Sequence, residues 1–246
     1  MKPKKNKKEN HHYIPQFYLS YWNNHNNKVW AYYKDSSKIP NPNQVHTKKI
    51  LSIKNLYSIE DSQAIEAWLS GSPESSVGTV LKKISKGEPI SNDDEDIIKF
   101  FLALLMTRHP RKDRFSKELA NMIIESIPKN ALAQTLPFQL RYSLIDKLNF
   151  HLQLRHIAPE LLESWSFITS DTPFVQTIDI TTRNRYYYYP LTPYVIAFLF
   201  SIEPNQRELV IHDPDNIAAI NRNLADSSDN ILIANNKEIF NAIFLK

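Results

Sequence analysis

Three glycines in 246 residues, Gly71, Gly78 and Gly87, set the tightest limit on what this chain can build. The dinucleotide-binding turn, the Walker A loop and the kinase glycine loop all need closely spaced glycines, because only a residue without Cβ lets backbone N–H groups approach phosphate. None of the three can be assembled here. The HExxH zinc-protease motif and the GxSxG nucleophile elbow are also missing. With no cysteine in the chain, disulfides, thiolate–zinc sites and cysteine nucleophiles are excluded as well.

Lys2, Lys4, Lys5, Lys7 and Lys8 outweigh the formal net charge of +4, so the rest of the chain is close to neutral. Residues 1–10 read as a disordered basic arm, and 11–246 as one domain. No apolar run follows the lysines, so the start does not read as a secretory signal. The longest strongly apolar run, Ile97 to Met106, is broken by Lys99 and reaches about half the length a bilayer needs. A soluble, cytoplasmic protein with no membrane partner is the expectation.

Lys28–Lys34 is rich in β-formers and predicts a strand, with Asn55–Ile59 a shorter candidate. Asn23–Asn27 signals a turn, since Asn tolerates the left-handed backbone. Residues 61–163 read as helical. Ser72-Pro73-Glu74 opens one helix and Gly87 stops it; Asn92-Asp93-Asp94-Glu95 opens the next, whose apolar surface places it centrally. Pro110 kinks or ends that helix, and helix resumes through Lys112–Ile127. Leu140–His156 is expected to be helical too. The period then changes: Trp165–Thr169, Tyr186–Tyr189 and Tyr194–Ser201 predict strands, Pro214–Ala225 a helix, Asn230–Ala234 a strand and Lys237–Phe244 a closing helix. The fold class is α+β: an N-terminal β-hairpin, a central helical core, and a small C-terminal β-sheet with helices.

Three clusters carry chemistry. His11 and His12 are adjacent, so on an extended segment they point to opposite faces, and imidazole suits acid–base work or metal ligation. Arg108 and Arg111 stand three apart after the apolar helix, and their guanidinium forks match phosphate; cations there also complement a helix C-terminus. Asp171 ends an aromatic strand before Pro173, placed either for function or as a turn former that binds backbone N–H groups. The aromatics of Tyr186–Tyr189 and Phe17-Tyr18 suit core packing, or the stacking of nucleic-acid bases.

His11, His12, Pro15, Gln16, Phe17, Tyr18 and Leu19 resemble the His-His-x-x-Pro-x-x-x-Leu signature of a mainly microbial family known as domain of unknown function 4238. Further resemblances are the aromatic strand Val29–Lys34, the Asn55-Leu56-Tyr57 element and the helix-opening Glu74. Arg108-His109-Pro110, Ser170-Asp171-Thr172-Pro173, Pro190-Leu191-Thr192-Pro193 and the late helical Asn221 complete the set. The resemblance spans about residues 11–235 and implies one domain. It implies functional roles for His11, His12, Gln16, Glu74, Arg108 and Asp171, and supplies no reaction.

Two imidazoles, two carboxylates and an arginine suit a metal-dependent nuclease or phosphodiesterase. His11, His12, Arg108 and Asp171 are its expected catalytic residues, and Gln16, Arg111 and Asn221 its substrate contacts. His12, Glu74 and Asp171 are the expected ligands of Mg²⁺, Mn²⁺ or Zn²⁺. The same residues without metal would make a histidine-pair site. The alternatives are a non-catalytic module binding nucleic acid, a nucleotide or a partner protein, and a structural role in which the signature forms a buried polar network.

Overall fold

The computed structural model describes residues 10–24, 26–35, 41–54, 72–108, 150–178 and 185–244. The expected strand at Asn55–Ile59, the kink at Pro110 and the helix through Lys112–Ile127 fall outside these residues. The fold is α+β.

β1 (Asn10–His12) pairs antiparallel with β4 (Ser52–Lys54), setting His11 opposite Ile53. Pro15 precedes a one-turn helix, α1 (Gln16–Leu19), and a 3-10 turn at Ser20–Trp22. Asn27 then takes the left-handed conformation (φ 54°) that leads into β2 (Lys28–Tyr33). β3 (Asn43–His46) completes the hairpin with β2.

Two helices follow. α2 (Ser72–Ser85) buries Val77, Val80, Leu81 and Ile84, one stripe at helical spacing. Its last turn closes through Gly87 N–H to Ile84 O and Glu88 N–H to Lys83 O, with Gly87 at φ +68°. α3 (Asn92–Arg108) starts one residue before its acidic run. Ser91 Oγ accepts from Asp94 N–H, and Asp94 Oδ2 accepts from Ser91 N–H, a reciprocal cap. Lys83 of α2 bonds the same carboxylate at 2.8 Å, tying the helices together. Ile98, Phe101, Leu102 and Leu105 put α3 in the core as expected.

The stretch expected to continue helical through His156 is instead a strand, β5 (His151–Ile157). Leu, Gln and Arg favour helix locally, but His151-Leu152-Gln153-Leu154-Arg155 also alternates with period two. Pairing on both sides, with β9 and β10, decides between the two. The five-stranded sheet runs β10-β5-β9-β8-β7, from β7 (Val175–Ile178), β8 (Arg185–Thr192), β9 (Val195–Phe200) and β10 (Glu208–Ile211). Only β10–β5 is parallel.

A four-stranded sheet runs β3-β2-β11-β6, from the N-terminal hairpin, β11 (Ile231–Ala234) and β6 (Thr169–Ser170). The hairpin is thus completed by the far end of the chain. α4 (Pro214–Ser227) is capped by Asp213, and α5 (Glu238–Phe244) closes the described chain.

The central strands of the five-stranded sheet bury side chains on both faces. Leu152, Leu154, Tyr189, Leu191, Ala197 and Leu199 face the signature aromatics, α2 and α3. Ile157, Tyr188, Ile196 and Phe198 face the α4 and α5 residues Ile217, Leu224, Ile239 and Phe240. Among the described residues no helix is long and apolar enough to cross a membrane.

Candidate functional site

The signature segment is packed into the domain. Pro15 sets an extended entry, and the single turn that follows buries Tyr18 and Leu19 completely, with Trp22 just beyond. The two polar handles of these rings are spent on the strand ends behind them. Tyr18 Oη donates to Pro190 O at 2.7 Å and accepts from Thr169 Oγ1 at 2.8 Å, and Trp22 Nε1 donates to Phe167 O at 2.9 Å. Burial pushes the Tyr18 phenol far above its usual range, although the Thr169 bond works the other way.

His11 and His12 differ in exposure, as neighbours on a strand should. His11 is 4% exposed, while His12 is half-buried. Gln16, one turn on, places its amide nitrogen 3.1 Å from His12 Nε2 and 3.3 Å from Nδ1. The amide nitrogen is nearly equidistant from the two ring nitrogens, so its position singles out neither tautomer. The turn is held from below by Tyr13 N–H, which donates to Leu51 O at 3.1 Å. Leu51 is buried at φ 56°, an unusual conformation for a branched residue.

Tyr13 lies within electrostatic reach of the Ser-Asp strand end. Burial raises its phenol far above the usual range, and the charges of Asp171 and Asp229 add to the effect. Asp171 itself is 4% exposed. Its Oδ1 accepts from Ser228 Oγ at 2.8 Å and Asp229 N–H at 3.0 Å; its Oδ2 accepts from Asn230 N–H at 2.8 Å and Ile231 N–H at 3.0 Å. Four protein donors therefore hold the carboxylate, which knits the start of β11 onto the end of β6.

Asn221 does comparable work. On α4, 1% exposed, it donates from Nδ2 to Ser166 O at 2.8 Å and accepts on Oδ1 from Ile168 N–H at 3.0 Å. Its amide stands in for a neighbouring strand. That is why the stretch expected as a strand from Trp165 enters the ladder only at Thr169.

Glu74 is half-buried in the first turn of α2. A Cβ on Gly78, one turn later on the same row, would lie 3.8 Å from Phe17 Cδ2, so that row faces α1. Arg108 is the last residue of α3. Arg111 lies outside the described residues.

The structure thus brings His12 and Gln16 together, sets Tyr13 within the field of Asp171, and packs the helix of Glu74 against α1. Asp171 and Asn221 instead serve the backbone. Among the described residues no group of three or more His, Asp or Glu side chains is placed to hold a metal ion. Residues not singled out in the sequence also build this region: Tyr13, Thr169 and the 228–231 turn. The turn had a signal in Ser228-Asp229-Asn230, three turn formers in succession.

No curated protein and no solved structure matches the chain. The family model described as protein of unknown function, DUF4238, matches residues 10–238, from the first paired strand through the start of α5. The signature, the Asp171 clamp and the Asn221 bridge all lie within that match, and the chain belongs to the DUF4238 family.

Proposed function

We propose that this chain is a phosphodiesterase of the nuclease class, with His12 as its acid–base imidazole. The observation that carries the reading is the half-buried His12 ring contacted by the Gln16 amide on a turn that is otherwise locked into the core. An imidazole so placed accepts the proton of an attacking water or hydroxyl. It then returns that proton to the leaving oxygen as the phosphorus–oxygen bond breaks. Gln16 orients the ring. Arg108 is proposed to neutralise phosphate charge, and Glu74 to complete the polar lining from the α2 side. Asp171 positions rather than reacts: it fixes the strand end against which Tyr13 and the signature pack. His11 supports His12 from the buried side of β1.

A binding module that takes nucleic acid, a nucleotide or a partner protein through the same region is the second reading. The four donors on Asp171 and the two backbone bonds of Asn221 favour it, since they leave fewer groups for chemistry.

The deciding experiment incubates the purified chain with single-stranded RNA, single-stranded DNA and duplex DNA, each with Mg²⁺, Mn²⁺, Zn²⁺ or chelator. Cleavage by the wild type that is lost in His12→Ala supports the phosphodiesterase. Absence of cleavage under every condition hands the site to the binding module.

A further inference from the structure

The five-stranded sheet carries a second feature on the face turned away from the signature. Alternation along β8 and β9 sends Tyr189 and Leu199 to the signature side and Tyr186, Tyr188, Phe198 and Phe200 to the other. Tyr186 stands directly opposite Phe200, and Tyr188 opposite Phe198. The ring centroids are 5.5 and 5.0 Å apart across the strands, and 6.3 and 5.9 Å apart along them. All of these planes lie within 30° of one another. Four rings thus form one aromatic block. Its inner pair, Tyr188 and Phe198, is buried, while Tyr186 and Phe200 keep part of their surface open.

An arginine lies on this block. Arg155 of β5 holds its guanidinium carbon 3.8 Å from the Phe198 ring centroid. Its Nε donates to Gln153 Oε1 at 2.9 Å, and Gln153 is itself tied to Gln206 O at 2.7 Å. The fork is therefore oriented. Among the described residues no carboxylate pairs with it, so its terminal nitrogens carry donors that no acidic group satisfies. Burial pulls the guanidinium below its ordinary pKa, with the Tyr186 hydroxyl nearby working the other way. A half-buried cation with no counter-charge is costly to maintain. The ring beneath it returns part of that cost, and an arriving anion would return more.

We propose that this face binds single-stranded nucleic acid, with a base stacked on Tyr186 and Phe200 and a backbone phosphate held by Arg155. An open aromatic surface beside an oriented guanidinium satisfies both needs of a single strand: a π-face for an unpaired base and a charge for its phosphate. A duplex hides its base faces and can use only the charge. The surface lies on the face opposite Tyr18 and Leu19 of the signature and shares no residue with the proposed catalytic set.

The test measures fluorescence anisotropy of a labelled oligo-dT and of a duplex of equal length, with the full chain, in chelator. The wild type, His12→Ala, Arg155→Gln and the double variant Tyr186→Leu/Phe200→Leu are compared, with circular dichroism reporting the fold of each. Single-strand binding stronger than duplex binding is expected. The double variant should lose at least about tenfold in affinity, and Arg155→Gln should weaken binding and lower its salt dependence by roughly one phosphate contact. His12→Ala should bind as the wild type does. A loss of binding in His12→Ala equal to that in Arg155→Gln would place the strand at the proposed catalytic residue instead and overturn the proposal. If the leucine pair fails to fold, Arg155→Gln alone decides. No single-strand binding at low salt, a preference for duplex, or unchanged affinity in the folded variants would overturn the proposal.

Discussion

Asp171 and Ile231 hold each other twice: the Asp171 N–H donates to Ile231 O at 3.0 Å, and the Ile231 N–H returns to Asp171 Oδ2 at 3.0 Å. The second bond is one of four to the carboxylate, whose two oxygens each take two donors. An asparagine has one acceptor oxygen and would set an NH₂ group against two donors. The usual tolerance of turn aspartates for Asn therefore fails here. Asp171→Asn should destabilise the fold by about 2–4 kcal/mol, measured as a shift in the urea midpoint with unchanged slope. A midpoint equal to the wild type would show that the clamp carries no stability.

Asn221 invites a parallel measurement. Truncation to Ala strands a buried carbonyl at Ser166 and a buried N–H at Ile168. A cost of about 2–4 kcal/mol is expected from the two unsatisfied groups. Hydrogen exchange should rise specifically at the Ile168 amide.

For the proposed chemistry, His12→Ala should lower cleavage by roughly 10² to 10⁴, the range for a lost acid–base group. Gln16→Ala removes only orientation and should cost less, on the order of tenfold in kcat with little change in KM. Equal losses in both would make Gln16 a reacting group in its own right. Neither change should alter the thermal midpoint much, because both side chains are only half-buried.

His156 makes stability depend on pH. Burial depresses its pKa below the usual 6.5, and the Glu208 carboxylate, 3.8 Å from Nε2, only partly offsets this. In the window between the two pKa values the unfolded chain binds the extra proton. The contribution of neutral His156 is thus complete above about pH 6.5 and is lost as pH falls through the folded value. Urea midpoints taken from pH 8 to pH 5 should fall, and His156→Gln should flatten that fall. Glu208→Gln should steepen it by removing the charge that opposes burial.

Gly87 separates backbone strain from crowding. Its φ is +68°, and a Cβ there would meet nothing within 4 Å. Gly87→Ala should therefore cost about 1–2 kcal/mol from the left-handed conformation alone, and Gly87→Asn less. Equal midpoints for all three would remove Gly87 from the account of how α2 ends.

Local chemistry in the sequence determined a good deal. Gly87 ends α2, the acidic run opens α3 within a residue, and Pro214 opens α4. The β-formers of β2, β8, β9 and β11 are strands. These features depend on caps, φ preferences and periods that a few neighbouring residues encode. Tertiary structure decided the rest. β5 became a strand because β9 and β10 flank it, against the helical leaning of its leucines and arginine. β3, β7 and β10 stand at sheet edges, where one neighbour suffices and polar residues are tolerated, so no strong pattern marks them. The work of Asp171 and Asn221 was legible as polarity at a strand end and on a helix, but not as function. A carboxylate looks the same in sequence whether it meets substrate or four backbone and hydroxyl donors. Only the chain brought back from residues 228–231, and α4 laid across Ser166 and Ile168, determine which it meets.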